Sequence, residues 1–207
     1  MITTLTIPNP SPAFWGITAG ILYAISVVPY FIDIFHGQTR PNRTTYAIWS
    51  IVKIVLITSY ISSGATNTIW YGLFGATVAI TLLIISIKHG MGGFSKFDIA
   101  CFLLAILAIA LWVTTDNPVT ALYASLCALA IGFFPTVKKA YHAPLTENKL
   151  SWIIVGAASI ANLLALTSWQ PKFSLYPIIS MTEDIVLLSI LLLINQTRKD
   201  RRRSSNY

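Results

Sequence analysis

Charge is what this sequence has least of. Only 10% of its 207 residues are charged and seven are acidic, while 55% are hydrophobic. Soluble domains carry about 25% charge, so neither an ordinary soluble domain nor a disordered chain fits. Cysteine is nearly absent: Cys101 and Cys127 both lie inside apolar runs, which excludes a disulfide framework and a cysteine metal site. The three histidines, His36, His89 and His142, lack the spacing of metal ligands. No Ser-His-Asp, H-E-x-x-H or phosphate-loop pattern occurs, so no enzyme activity, no cofactor and no metal is expected. The first eleven residues carry no basic charge, and no removable signal peptide is expected.

What the chain does have is length in apolar segments. A helical crossing needs roughly 20 mostly apolar residues. Seven such segments can be traced, over residues 12–35, 44–62, 68–87, 97–115, 119–137, 150–168 and 173–195. The expectation is an all-α membrane protein of seven transmembrane helices, with no soluble catalytic domain. The net charge of +7 belongs to this picture rather than to nucleic acid, because Arg198, Lys199, Arg201, Arg202 and Arg203 follow the last apolar segment. Counted over short loops, twelve of the fourteen basic residues fall on the side of the C-terminus. Only Lys172 falls on the other side, and Lys53 within a segment. The positive-inside rule then puts the N-terminus outside and the C-terminus in the cytoplasm.

An internal repeat lies at an offset of 106 residues. Pro29 falls on Pro135, His36 on His142, Asn42 on Asn148, Arg43 on Lys149 and Thr45 on Ser151; Tyr46 falls on Trp152 and Trp70 on Tyr176. The offset superposes segments one to three on five to seven and leaves the fourth unpaired. The domain reading is therefore 1–95 as a first triple-helix bundle, 96–116 as a linker helix, 117–197 as a second bundle and 198–207 as a basic tail. One intervening crossing makes the bundles parallel, related by an axis along the membrane normal.

This 3+1+3 layout, with VPYFIDIFHGQTRPNRTTYAIW in one repeat and FFPTVKKAYHAPLTENKLSW in the other, resembles the PQ-loop superfamily of SWEET-like proteins. The family also includes lysosomal amino-acid exporters and KDEL receptors. The resemblance covers nearly the whole chain; the chain is also similar to uncharacterised bacterial PQ-loop-like seven-helix proteins, which implies a bacterial cytoplasmic membrane. Tyr30 and Thr136 stand where the family has glutamine after the motif proline, and the asparagines of its sugar carriers have no equivalent here. The resemblance implies transport by alternating access, with Pro29 and Pro135 as hinges; proline kinks a helix in any case.

The residues expected to bind a solute are those that are costly in a membrane. Lys53, Glu183 and Asp184 each lie about ten residues into an apolar segment. A charge there costs about 2.5–3.5 kcal/mol on insertion scales, so Lys53 is expected to pair with one of the acids across the bundles. Glu183 and Asp184 are adjacent, so only one is expected to face inward. Asn162 and Trp49 complete the expected substrate site. Tyr46, Trp152, Trp70 and Trp169 are expected in the interfacial aromatic belt.

The expected function is transport of a small polar, charged solute around a midplane cavity, with a proton as the candidate coupling ion. Membrane lipid surrounds the chain, and a homo-oligomer is compatible with it. The alternatives are a receptor that binds a peptide or other ligand without moving it, and uptake of a vitamin precursor of the nicotinamide-riboside type.

Overall fold

The computed structural model describes residues 10–93, 95–114 and 117–204. Seven α-helices occupy them: α1 Pro12–Phe35, α2 Arg43–Ser62, α3 Ile69–His89, α4 Lys96–Val113, α5 Pro118–His142, α6 Lys149–Leu164 and α7 Pro171–Ser204. A single 3₁₀ turn, Pro144–Thr146, precedes α6. The starts follow local chemistry. Ser11, Asn42, Asn117 and Asn148 each place a side-chain oxygen on a free backbone N–H of the first turn, and prolines open α1 and α5.

The ends depart from the apolar segments where no breaker stands. Helix α5 passes Val137 and runs to His142, because no helix-breaking residue intervenes before Pro144. Lys138 and Lys139 are thus helical rather than loop residues. Helix α7 likewise continues to Ser204. The described part of the basic tail therefore extends the seventh helix, because Arg, Lys and Gln are good helix formers and no Pro or Gly interrupts them. Helix α6 instead stops at Leu164, short of Ser168, ahead of Pro171.

Among the described residues, five helices, α1, α2, α3, α5 and residues Pro171–Leu193 of α7, are long and apolar enough to cross a membrane. Helix α6, with 16 residues, spans only about 24 Å, less than the roughly 30 Å hydrocarbon core. The expectation of seven crossings thus agrees with the number of helices, while length and apolarity single out five.

The packing repeats with the sequence. Helix α3 packs on both α1 and α2, as α7 packs on both α5 and α6. Between the triplets α1 lies on α6 and α2 on α5, contacts that the 106-residue offset exchanges. Helix α4 packs on α5 and touches α2. The close approach of α2 and α5 requires Gly132, where a Cβ would stand 2.7 Å from Ile48 Cγ2.

The polarity of this bundle is inverted relative to a soluble one. Ile17, Ile21, Ile25, Val28 and Ile32 form an outward stripe on α1, each about half exposed. Lys53, Ser125, Asn162 and Asp184 are buried between the helices. Apolar side chains outside and polar ones inside suit a lipid solvent. The chain is a helical protein of multi-pass membrane character.

Candidate functional site: a cavity between the two triplets

The site is built in three layers, beginning with the charges that α2 and α7 bury. Lys53 of α2 is buried, and its Nζ donates to Tyr23 Oη at 3.0 Å. The ammonium also lies 5.1 Å from the Tyr23 ring centroid and 4.9 Å from that of Trp49. These are cation–π distances. Gly75 on α3 makes room for it: a Cβ there would be 3.1 Å from Nζ and 3.3 Å from the Tyr23 ring. The Tyr23 ring meets Tyr71 edge-on at 4.8 Å, and Tyr71 Oη donates to Asp184 Oδ2 at 3.5 Å.

The expected direct pair between Lys53 and an acid is therefore not formed. No carboxylate lies within 4.0 Å of Lys53 among the described residues, and two tyrosines stand between the charges. Tyr23 of α1 takes the Lys53 ammonium and Tyr71 of α3 the Asp184 carboxylate, and the two rings meet edge-on. Of the two acids, Asp184 is the buried one, with Ser159 beside it. Glu183 is half-buried, and its Oε1 has no hydrogen-bond partner among the described residues.

Asn162 is fully buried on α6, and neither its Oδ1 nor its Nδ2 has a hydrogen-bond partner among the described residues. A buried polar group left unpaired costs about 1–3 kcal/mol. Asn162 is not among the residues that line the cavity between the triplets, and Asn162→Leu, of similar size, is expected to raise the thermal midpoint of purified protein. A lower midpoint would mean that the amide stabilises the fold.

The second layer is a cavity of about 40 Å³ between the triplets, two of whose wall residues, Tyr23 and Trp49, lie against Lys53. Its wall includes Tyr23, Ser26, Tyr30, Tyr46, Trp49 and Trp152. Trp49 thus takes the place expected of it. Tyr46 and Trp152 do not sit in an interfacial belt; they are 6% and 7% exposed and line the cavity, because α2 and α6 turn them toward the opposite triplet. Trp70 and Trp169, at 40% and 71%, are exposed as a belt requires. The volume holds a few water molecules at most, so a larger solute enters only when the triplets separate.

The third layer closes the end of the cavity formed by Tyr30 and Trp152. Lys139 Nζ pairs with Glu147 Oε1 at 2.5 Å, both side chains being almost wholly buried, and also donates to the carbonyls of Arg40 and Thr146. Glu147 Oε2 accepts from Trp152 Nε1 at 3.0 Å and from Tyr30 Oη at 3.4 Å. Thr136 Oγ1 donates to Thr45 Oγ1 at 2.8 Å. The two residues in the glutamine positions, Tyr30 and Thr136, thus each reach the opposite triplet.

Around this pair runs a reciprocal link. Asn42 Nδ2 donates to the Pro135 carbonyl at 3.4 Å, and Asn148 Nδ2 to the Pro29 carbonyl at 3.3 Å. Asn148 also donates to Asp33 Oδ2 at 2.5 Å. The other side-chain atom of each asparagine caps its own helix, accepting from Thr45 N and Ser151 N. Each cap therefore ties the start of a second helix to the proline of the opposite first helix. Asn42→Ala and Asn148→Ala are each expected to cost about 1 kcal/mol through the lost cap. In chemical unfolding the double replacement should cost at least the sum; full recovery by Asp, which caps but cannot donate, would remove the cross-link from the account.

Sequence reasoning placed Lys139 in a loop and left Glu147 unassigned. The available signal was the pairing of Asn42 with Asn148 and Pro29 with Pro135 at one offset, which marks equivalent positions without showing that they touch. No cluster of three His, Cys, Asp or Glu side chains suited to a metal occurs among the described residues. Comparison with protein-family models, curated proteins and solved structures finds no match to this chain.

Proposed function

We propose that this chain carries a small charged solute across a membrane by alternating access of two parallel triple-helix bundles joined by α4. The observation that carries the reading is a cavity between the triplets, with Lys53 against two of its wall residues, Tyr23 and Trp49, and the Lys139–Glu147 pair bonded to two others, Trp152 and Tyr30. A structural core would have no use for an unpaired Asn162, nor for Lys53 placed among rings rather than on an acid. The reading takes all seven helices as crossings, with α6 completed by the residues that follow it, the N-terminus outside and the C-terminus in the cytoplasm. The resemblance to the PQ-loop superfamily supports Pro29 and Pro135 as the points about which the triplets part.

In the conformation described, both ends are held. Lys139–Glu147 and the two asparagine links close the cytoplasmic end. At the other end Tyr60 Oη donates to the Phe173 carbonyl at 2.6 Å, joining the first triplet to the second. Alternating access breaks one set at a time, with each opening linked to solute or proton binding near Lys53, Asp184 and Glu183.

The test is flux. Purified protein in liposomes is offered labelled amino acids, carboxylates, sugars and nicotinamide riboside. Uptake of one class above empty liposomes, abolished by Lys53→Met, is the expected result. Tight binding of a ligand with no flux of any class would overturn the carrier reading and assign the chain a receptor's role.

A further inference from the structure

A second cavity, of about 320 Å³, lies apart from the one between the triplets, in a wedge bounded by α2, α3 and α4. Helix α2 packs on α3 and touches α4, while α3 and α4 have almost no contact with each other among the described residues. The wedge stands where α2 and α4 begin and α3 ends, so it occupies one end of the bundle. Its apolar walls are Ala47, Leu83, Ile87, Ile99 and Phe102, of which Ile87 and Ile99 are exposed. Phe102 lies about 9 Å along α4 from Lys96, so these walls run inward from the helix ends. In a helical membrane protein an open apolar wedge at that depth faces hydrocarbon. Water finds too few polar partners there, and a lipid chain suits it.

The outer end of the same cavity carries charge. Arg43 is one of its wall residues and has no carboxylate within 4.0 Å among the described residues. Its Nε donates to the Ser86 carbonyl at 2.9 Å, Nη1 to that of Gly92 at 3.3 Å and Nη2 to that of Ile87 at 3.5 Å. A guanidinium has five N–H donors, so one remains on each Nη, the forked pattern that matches a phosphate. The other charged wall residue, Asp98, is already satisfied from its own loop. Its Oδ2 accepts from the backbone N–H of Gly93 at 3.1 Å and of Ser95 at 3.3 Å, within the first turn of α4. Lys88 and Lys96 are exposed on either side of that loop, and the rim is therefore positive on balance.

We infer that this wedge binds one anionic phospholipid, with an acyl chain between α3 and α4 and the phosphate on Arg43. Basic pockets between membrane helices take such headgroups. The inference needs the membrane character of the bundle and not the carrier reading. The internal repeat supplies a contrast. Lys149 falls on Arg43 at the 106-residue offset, but among the described residues no helix follows α7 as α4 follows α3, so the second triplet has no third wall.

The experiment titrates the purified full-length chain in detergent with dioleoyl phosphatidylglycerol, dioleoyl phosphatidylcholine and dioleoylglycerol, reading bound lipid by native mass spectrometry. Phosphatidylglycerol is expected to bind roughly tenfold or more tighter than dioleoylglycerol, the worth of charge-assisted hydrogen bonds to a phosphate. Over phosphatidylcholine it should gain about fivefold from the basic rim. Arg43→Gln should remove the first preference, whereas Lys149→Met, an equal change of charge at the equivalent position, should leave both. Because Arg43 also ties the end of α3, Ala47→Phe is the second variant: it fills the wedge, leaves the guanidinium in place and should abolish retention of all three lipids. Dioleoylglycerol binding as tightly as phosphatidylglycerol would overturn the phosphate contact, and phosphatidylcholine doing so would overturn the anionic preference. Competition by inorganic phosphate at equal concentration would make this a site for a soluble anion instead. Unchanged lipid retention in Ala47→Phe would overturn the wedge as the site, and a dimer lost in that variant would assign the wedge to a second copy of the chain.

Discussion

Glu147→Gln is expected to be the most damaging conservative replacement in this protein, costing about 3–5 kcal/mol of stability. Lys139 and Glu147 are both almost wholly buried and pair at 2.5 Å. Removing one charge leaves the other inside the bundle without compensation, and that penalty exceeds the worth of the pair itself. Glutamine retains the carboxylate's shape and can still accept from Trp152, so the loss measures charge rather than packing. Lys139→Met combined with Glu147→Gln should recover most of the stability, since neither buried charge remains. Thermal unfolding of the three purified variants reads this directly.

The same replacement should also open the end of the cavity that Lys139 and Glu147 close. In a background lacking Cys101 and Cys127, a cysteine at Ser26 reports access to the cavity. Labelling by a membrane-impermeant maleimide from the face on which that pair lies should be faster in Glu147→Gln than in the parent. Equal labelling rates, with the stability loss present, would make the pair a fastener of the fold rather than a gate.

Lys53 and Asp184 should behave as coupled charges although they do not touch. The link runs from Lys53 to Tyr23, across the Tyr23–Tyr71 ring contact, and on to Asp184. Lys53→Met and Asp184→Asn each remove one of two opposite buried charges and are expected to cost several kcal/mol, about 3 or more. The double variant should cost less than the sum, with a coupling energy of about 0.5–3 kcal/mol. Tyr71→Phe, which removes only the donor to Asp184, should reduce that coupling. Costs that add to within about 0.5 kcal/mol would show that the tyrosines insulate the charges rather than connect them. Direct charge reversal at both positions is not expected to restore the protein, because Tyr23 is placed to accept from an ammonium and Tyr71 to donate to a carboxylate.

Much of the architecture follows from the sequence alone. Apolar segments bounded by loops located seven helices, and Pro12–Phe35 ends where its apolar run does, because Ser11 caps it and a polar stretch follows. The 106-residue offset predicts which helices are equivalent, and the contacts between helices repeat accordingly. Charges inside apolar segments named Lys53, Glu183 and Asp184, since a membrane tolerates them only where they face the interior; the structure buries Lys53 and, of the two acids, Asp184. These are one-dimensional signals: hydropathy, breakers and charge positions act locally or through the solvent, and the order of residues carries them.

Tertiary structure decided what the side chains meet. Lys139 reads as a loop charge in sequence but turns inward, because α5 continues until Pro144 and Glu147 waits beyond it. Tyr46 and Trp152 read as interfacial aromatics, yet crossing of the two triplets makes them the walls of a cavity. The expected ion pair became a path through two tyrosines, because Tyr23 and Tyr71 come from helices whose relative rotation no periodicity specifies. Asn42 and Asn148 could be read as caps from their own neighbours. Their second bond, to the proline of the opposite triplet, exists only once α2 lies on α5 and α1 on α6. Packing sets that distance, and packing depends on all the helices at once.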